Sequence, residues 1–116
     1  MKRAYFDFLV NMHENANRAI HFVAGMDYAA FAKDDKTVYA VIRAIEIIGE
    51  AASKLPKEVL EKYPDLPWRD IIGMRNKLVH AYFGIKVDVI WQTIQEDLPL
   101  IAQVLAVIIK KEKESQ

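Results

Sequence analysis

Seven apolar residues in the last third of the chain restrict its fold most. Val87, Trp91, Ile94, Leu98, Ile101, Leu105 and Ile108 recur in steps of four and three, the pattern of one packed seam along an α-helix. Asp88 falls in the first turn of this helix. Pro99 lies inside it, removes one backbone hydrogen bond and is expected to kink it. Lys110 to Gln116 is a charged tail, expected to fray.

A seam of that length needs apolar partners, and the rest of the chain supplies them at helical spacing. A first helix is expected from about Arg3 to Ala24, with Tyr5, Phe8, Leu9, Met12, Ala16, Ala19, Ile20 and Val23 on its stripe. Gly25 ends it. His13 and His21, eight apart and close to one stripe, read as solvated or interface residues. Met26 to Lys33 is a connection with Tyr28 and Phe31 tucked inward. Asp34 or Asp35 is then the N-cap of a second helix carrying Val38, Val41, Ile42, Ile45, Ile48, Ala52 and Leu55. Gly49 inside that helix costs about 1 kcal/mol against alanine, which implies the close approach of another helix. A short helix runs from Pro56 to about Tyr63, and Pro64 and Pro67 bound a stiff turn. A further helix spans Trp68 to Phe83, with Ile71, Met74, Leu78 and Ala81 on one stripe and Gly84 as its stop. The expected fold is all-α: an antiparallel four-helix bundle with a short extra helix, in one domain covering residues 1–116.

Composition narrows the function. Sixteen basic residues balance 16 acidic ones, so broad non-specific binding to nucleic acid is disfavoured and any RNA site must be local. Arg69, Arg75, Lys77 and Lys86 outnumber Asp70 along the chain around the fourth helix. The chain has no cysteine, which removes disulfides and thiol chemistry and suits the cytoplasm. At 53% the apolar fraction is high for a small domain and points to surface covered by a partner. No segment is expected to span a membrane, and Asp7 interrupts the apolar run that a signal peptide would need.

The chemistry concentrates between Met74 and Gly84. Asn76 and His80 are four apart and share a face; Arg75 and Tyr82 are seven apart and share another, roughly 10 Å apart along the axis. Arg75 and His80 lie roughly 140° apart, so one copy of the helix makes a loose site and two copies across a two-fold axis a denser one. Histidine moves protons near neutral pH. Arginine offers a permanent, planar charge that matches a phosphate. Asparagine can hold one imidazole tautomer, and tyrosine can stack on a base or accept a modification. A proton shuttle and a phosphate clamp are the minimum set for RNA cleavage by the 2′-hydroxyl without a metal. A helix ending in Arg, His and Tyr also occurs as an ordinary capped terminus, where a late histidine favours the helix dipole.

Arg75-x4-His80-x-Tyr82, together with Arg75-Asn76-x3-His80, resembles the signature of HEPN ribonucleases, and of the HepT-like toxin family in particular. The resemblance extends to Arg43 through Ala52, to Tyr63 through Asn76, and to Glu96 through Pro99. It implies a HEPN-like homodimer that brings two Arg75–His80 pairs to one cleft. His80 would act as general base and acid, and Arg75 would stabilise charge on the phosphoryl oxygens. Asn76 would orient His80 or the phosphate, Lys77 would support RNA binding, and Tyr82 would contact RNA. Arg43 and Glu46 are possible supports behind that helix, or a self-contained surface pair. Lys77 is more polar than the family pattern leads one to expect. The resemblance also implies a metal-independent endoribonuclease toxin of a type VII toxin–antitoxin system, with no cofactor. Its partner would be a cognate minimal nucleotidyltransferase antitoxin that adds AMP to Tyr82. The alternative is a non-catalytic HEPN helper subunit that presents substrate to a partner nucleotidyltransferase; a purely structural dimer is a third, weaker reading.

Overall fold

Local capping sets the helix boundaries in the computed structural model, which describes residues 2–80 and 86–115, with side chains described outside 2–3 and 76–80. Helix α1, Lys2–Phe22, stops ahead of Gly25, whose φ of 81° is a left-handed value that glycine takes without a Cβ clash. The stretch expected to be a plain connection holds a short helix instead, α2, Tyr28–Lys33. The Asp27 carboxylate caps it by accepting from the Ala30 amide at 2.8 Å. That cap starts the turn, and burial of Phe31 holds it. Of the two candidate caps for the next helix, Asp34 is the one used. It accepts from the Thr37 amide at 3.1 Å and the Thr37 hydroxyl at 2.6 Å, opening α3, Asp35–Ser53. Helix α4, Lys57–Lys62, follows Pro56, and α5 spans Trp68–His80. Gly84, the expected stop of α5, lies outside the described residues.

The last helical run differs from expectation. It comprises α6, Val87–Gln92, a π-helical turn, Thr93–Asp97, and α7, Leu98–Glu114. Pro99 does not simply kink an α-helix. Ahead of it the spiral widens, so that the Leu98 amide donates to the Thr93 carbonyl, one residue further back than α spacing. Proline has no N–H for the carbonyl four residues back, and its ring crowds that carbonyl; a wider turn just before it relieves both problems. Contrary to the expectation from sequence, the 28-residue run Val87–Glu114 is long and apolar enough, by length and composition alone, to cross a membrane. Here its apolar stripe serves the core: Ile94, Leu98, Ile101, Leu105 and Ile108 are buried as expected, but ahead of the π turn Ile90 is the buried residue, and Val87 and Trp91 are half-buried.

Around that stripe, α1 packs against both α3 and α7, α2 against α3 and α6, and α5 against α3. Leu9, Met12 and Ala16 from α1 meet Val41, Ile45 and Ile48 from α3 in one core that also takes Ile71 from α5. The Phe31 and Trp91 rings stand 5.2 Å apart and dock α2 on α6. The described residues contain no strand, so the fold is all-α.

The tail expected to fray is the final turn of α7. Its Glu112 is 1% exposed, because donors from two other parts of the chain converge on it. The Tyr5 hydroxyl donates to Oε1 at 2.5 Å, Lys62 Nζ donates to Oε2 at 2.8 Å, and the Tyr63 hydroxyl also donates to Oε2. Burial alone would raise the carboxyl pKa. The hydrogen bonds from Lys62, Tyr5 and Tyr63 outweigh burial and hold it at about 2.

Candidate functional site

Helix α5 carries the candidate residues Arg75, Asn76, Lys77 and His80, and its start is firmly seated. The turn bounded by Pro64 and Pro67 delivers Trp68 into the core, where its indole N–H donates to the Tyr63 carbonyl at 2.8 Å. The Ile71 amide donates to the Pro67 carbonyl at 3.0 Å. Asp70 sits in the first turn, where a carboxylate suits the positive end of the helix dipole. The next residue, Ile71, is buried where α5 packs on α3.

Helices α3 and α5 meet tightly at Gly49 and Arg75. A Cβ placed on Gly49 would lie 2.6 Å from the Arg75 Cβ, 3.2 Å from the Ile71 carbonyl oxygen and 3.3 Å from the Arg75 amide nitrogen. Carbon atoms in contact normally stand about 3.5–4.0 Å apart. Only a residue without a side chain fits at position 49, as expected from the cost of a glycine there. Its partner is the arginine of the motif, held half-buried at this crossing.

Of the other candidates, Asn76, Lys77 and His80 lie on the backbone of the same helix, ahead of its described end. Helix geometry puts His80 roughly 7.5 Å beyond Arg75 along the axis and roughly 140° around it. Tyr82, the candidate RNA contact and modification site, lies outside the described residues. Glu46 is three residues before Gly49 on α3, on the same side and one turn from the contact with Arg75. Its side chain is 15% exposed and lies 3.9 Å from Arg43, whose side chain is 65% exposed. Glu46 therefore lies one turn along α3 from the contact with Arg75, whereas Arg43 is on the open surface.

A groove of about 470 Å³ borders α5 and is lined by Asp70, Met74, Val89, Gln92, Thr93, Glu96 and Asp97. It adds carboxylates beside the basic residues counted along the chain around the motif. Glu96 and Asp97, distant in sequence, are brought by the π turn to the side of α5 that carries Asp70. Among the described residues, no three His, Asp or Glu side chains converge as a metal-binding set. Reading along the chain missed these carboxylates, since nothing in the local pattern tells which neighbour the π turn faces. Gly49 was visible as an anomaly, but its partner was not.

The chain resembles known proteins over nearly its whole length. Residues 12–108 match the family described as Ribonuclease HepT-like. A probable ribonuclease HepT from Thermococcus cleftensis is 43% identical over 99 residues, 85% of this chain and 90% of that protein. A putative RNase from Methanocaldococcus jannaschii is 40% identical over 107 residues, 92% of this chain and 98% of that protein. A putative RNase from Caldanaerobacter subterraneus subsp. tengcongensis is 40% identical over 106 residues, 91% and 95% of the two chains. No solved structure matches. With its helical core, its arginine–histidine helix and these relatives in agreement, the chain belongs to the HepT-like ribonuclease family.

Proposed function

We propose that this protein is a metal-independent endoribonuclease, the toxin of a type VII toxin–antitoxin pair acting in the cytoplasm as a homodimer. The observation that carries the reading is the pairing of Arg75 and His80 on one helix, with Arg75 set at a backbone-tight crossing. A clamp for a developing phosphoryl charge works best when it is already in position before the reaction. The relatives named ribonucleases support the same reading.

In the proposed reaction His80 accepts the proton of a ribose 2′-hydroxyl. The 2′-oxygen forms a bond to the adjacent phosphorus, and the bond from phosphorus to the 5′-oxygen breaks. The histidine of the site returns a proton to that leaving oxygen, giving a 2′,3′-cyclic phosphate and a 5′-hydroxyl. Arg75 bonds the non-bridging oxygens as their charge grows. Asn76 orients the imidazole or the phosphate, and Lys77 and Tyr82 hold the RNA. Glu46 supports the arginine from α3, with Arg43 paired beside it. Two α5 helices facing across a dimer axis supply both pairs to one cleft. A partner nucleotidyltransferase antitoxin silences the site by adding AMP to Tyr82, placing a negative charge two residues along the chain from His80.

RNA cleavage by purified protein in EDTA tests the reading, with His80→Ala as the control. The expected result is cleavage by wild type and a loss of about 10²–10⁴-fold in the variant. Cleavage by neither protein would instead favour the helper-subunit reading. For the modification, Tyr82→Phe should stay toxic while escaping the antitoxin, and mass spectrometry that finds AMP on another residue would reject Tyr82 as the target.

A further inference from the structure

Gly49 has no chemistry of its own, yet it touches the residue on which the proposed reaction most depends for charge. We infer that Gly49 is a positioning residue for Arg75: its missing side chain lets the backbones of α3 and α5 meet, and that meeting sets where the arginine stands. The inference rests on the proposed role of Arg75 and goes beyond it to a residue on another helix.

The geometry is specific. The atoms that a methyl group at position 49 would meet are the Arg75 Cβ at 2.6 Å, the Ile71 carbonyl oxygen at 3.2 Å and the Arg75 amide nitrogen at 3.3 Å. None is the far end of a flexible side chain, and two are backbone. A rotamer change cannot relieve the overlap, so α5 itself must move away from α3. The displacement falls at Arg75, not at some remote point on the helix. At the start of α5 the Trp68 indole N–H donates to the Tyr63 carbonyl and the Ile71 amide donates to the Pro67 carbonyl, so the helix would tilt about that anchored start and carry its later residues outward. A misplacement of about 1 Å in a positioned group can cost on the order of 10²-fold in rate.

Helix α5 contains its own control. Gly73 lies two residues before Arg75 on the same helix, and a Cβ there would meet nothing within 4 Å. The same chemical change, one added methyl, thus collides at position 49 and enters open space at position 73.

The test measures RNA cleavage and melting for wild type, Gly73→Ala, Gly49→Ala, Arg75→Ala and the double variant Gly49→Ala with Arg75→Ala. Gly73→Ala should match wild type in kcat and KM. Gly49→Ala should lose roughly 10- to 100-fold in kcat while KM changes less than about twofold. In the Arg75→Ala background the Gly49→Ala change should cost several-fold less than in wild type, since the part of its effect that acts through the guanidinium is already gone. A general structural role would give the same loss in both backgrounds and would overturn the inference. So would a Gly49→Ala enzyme with wild-type kcat. If Arg75→Ala itself keeps wild-type kcat, the role proposed for Arg75 fails, which is a different result. The set is repeated in the Gly73→Ala background, where α5 has more helix propensity. A Gly49→Ala chain that folds in neither background also overturns the inference, because the crossing would then be a requirement of folding.

Discussion

Glu112 and Gly49 each join helices far apart in sequence, and they do so by opposite means. Glu112 is buried and gathers donors from Tyr5, Lys62 and Tyr63, so its contact is electrostatic and satisfied on both oxygens. Gly49 offers nothing, and α5 comes to rest against its backbone at Arg75. A hydrogen-bonded cluster can follow small movements and responds to pH. A steric contact ignores pH and fails on a single added methyl. The contact beside the motif is the rigid kind, which suits the aimed charge proposed for Arg75. The contact that holds the C-terminal turn is the adjustable kind, which suits an element whose task is to stay folded.

The sharpest way to break this comparison is Arg75→Ala. It should lower kcat by about 10²–10³-fold, the usual cost of losing one preorganised donor to a developing charge, with the melting temperature little changed. RNA cleavage kinetics and thermal melting check the two halves. Glu112→Ala should do the reverse. It leaves the buried Tyr63 hydroxyl without its acceptor and removes a charged acceptor from two other donors, for a loss of about 3 kcal/mol in urea unfolding. Its kcat, measured well below melting, should stay near wild type. If Glu112→Ala abolishes cleavage in a fully folded chain, the division of labour between the two regions is wrong.

Acid sharpens the contrast. The Glu112 carboxyl is held at about 2 against an ordinary 4.5, so the folded state binds this proton less readily than the unfolded chain. The stabilisation is complete above the unfolded value and is lost as pH falls through the folded one. The full contribution, present above 4.5, amounts to about 3 kcal/mol. Stability measured between pH 4.5 and 2 should fall steeply in wild type and less steeply in Glu112→Gln, where the capping carboxylate of Asp34, held low by Thr37, still titrates. At the alkaline end, the hydrogen bond to Glu112 raises the Tyr5 pKa, and burial followed by the same carboxylate raises that of Tyr63. Their contribution is full below the ordinary tyrosine value of 10.0 and is lost as pH climbs past it. The smallest effect is Gly73→Ala, which should stabilise the fold by up to about 1 kcal/mol, visible as a rise in melting temperature.

Much of the fold was legible because apolar spacing is a local property. The stripes of α1, α3 and the last run, the start of α5 at Trp68 and the cap at Asp34 all follow from residues within a few positions of one another. Where legibility failed, the deciding atoms were distant. Met26 to Lys33 carried too few residues for a periodic signal, and Phe31 became the centre of a helix only because Trp91 was there to receive it. Pro99 announced a disturbance but not its form, since a kink and a π turn answer the same missing N–H. Lys110 to Gln116 looked like a solvated tail because nothing nearby marks Glu112 as buried; its donors are 49 and 107 residues away for Tyr63 and Tyr5.

The sequence by itself determined an all-helical chain, the family to which it belongs, and one helix carrying Arg75, Asn76, Lys77 and His80. Periodicity, caps and a local motif are enough for that, because each is set by the chain's own neighbours. Only the tertiary structure decided that Gly49 faces Arg75, that Glu46 stands one turn away, and that Glu96 and Asp97 line the groove beside α5. Those pairings depend on how one rigid helix rotates and slides against the next, a choice made by the packing of the whole core and written in no single segment.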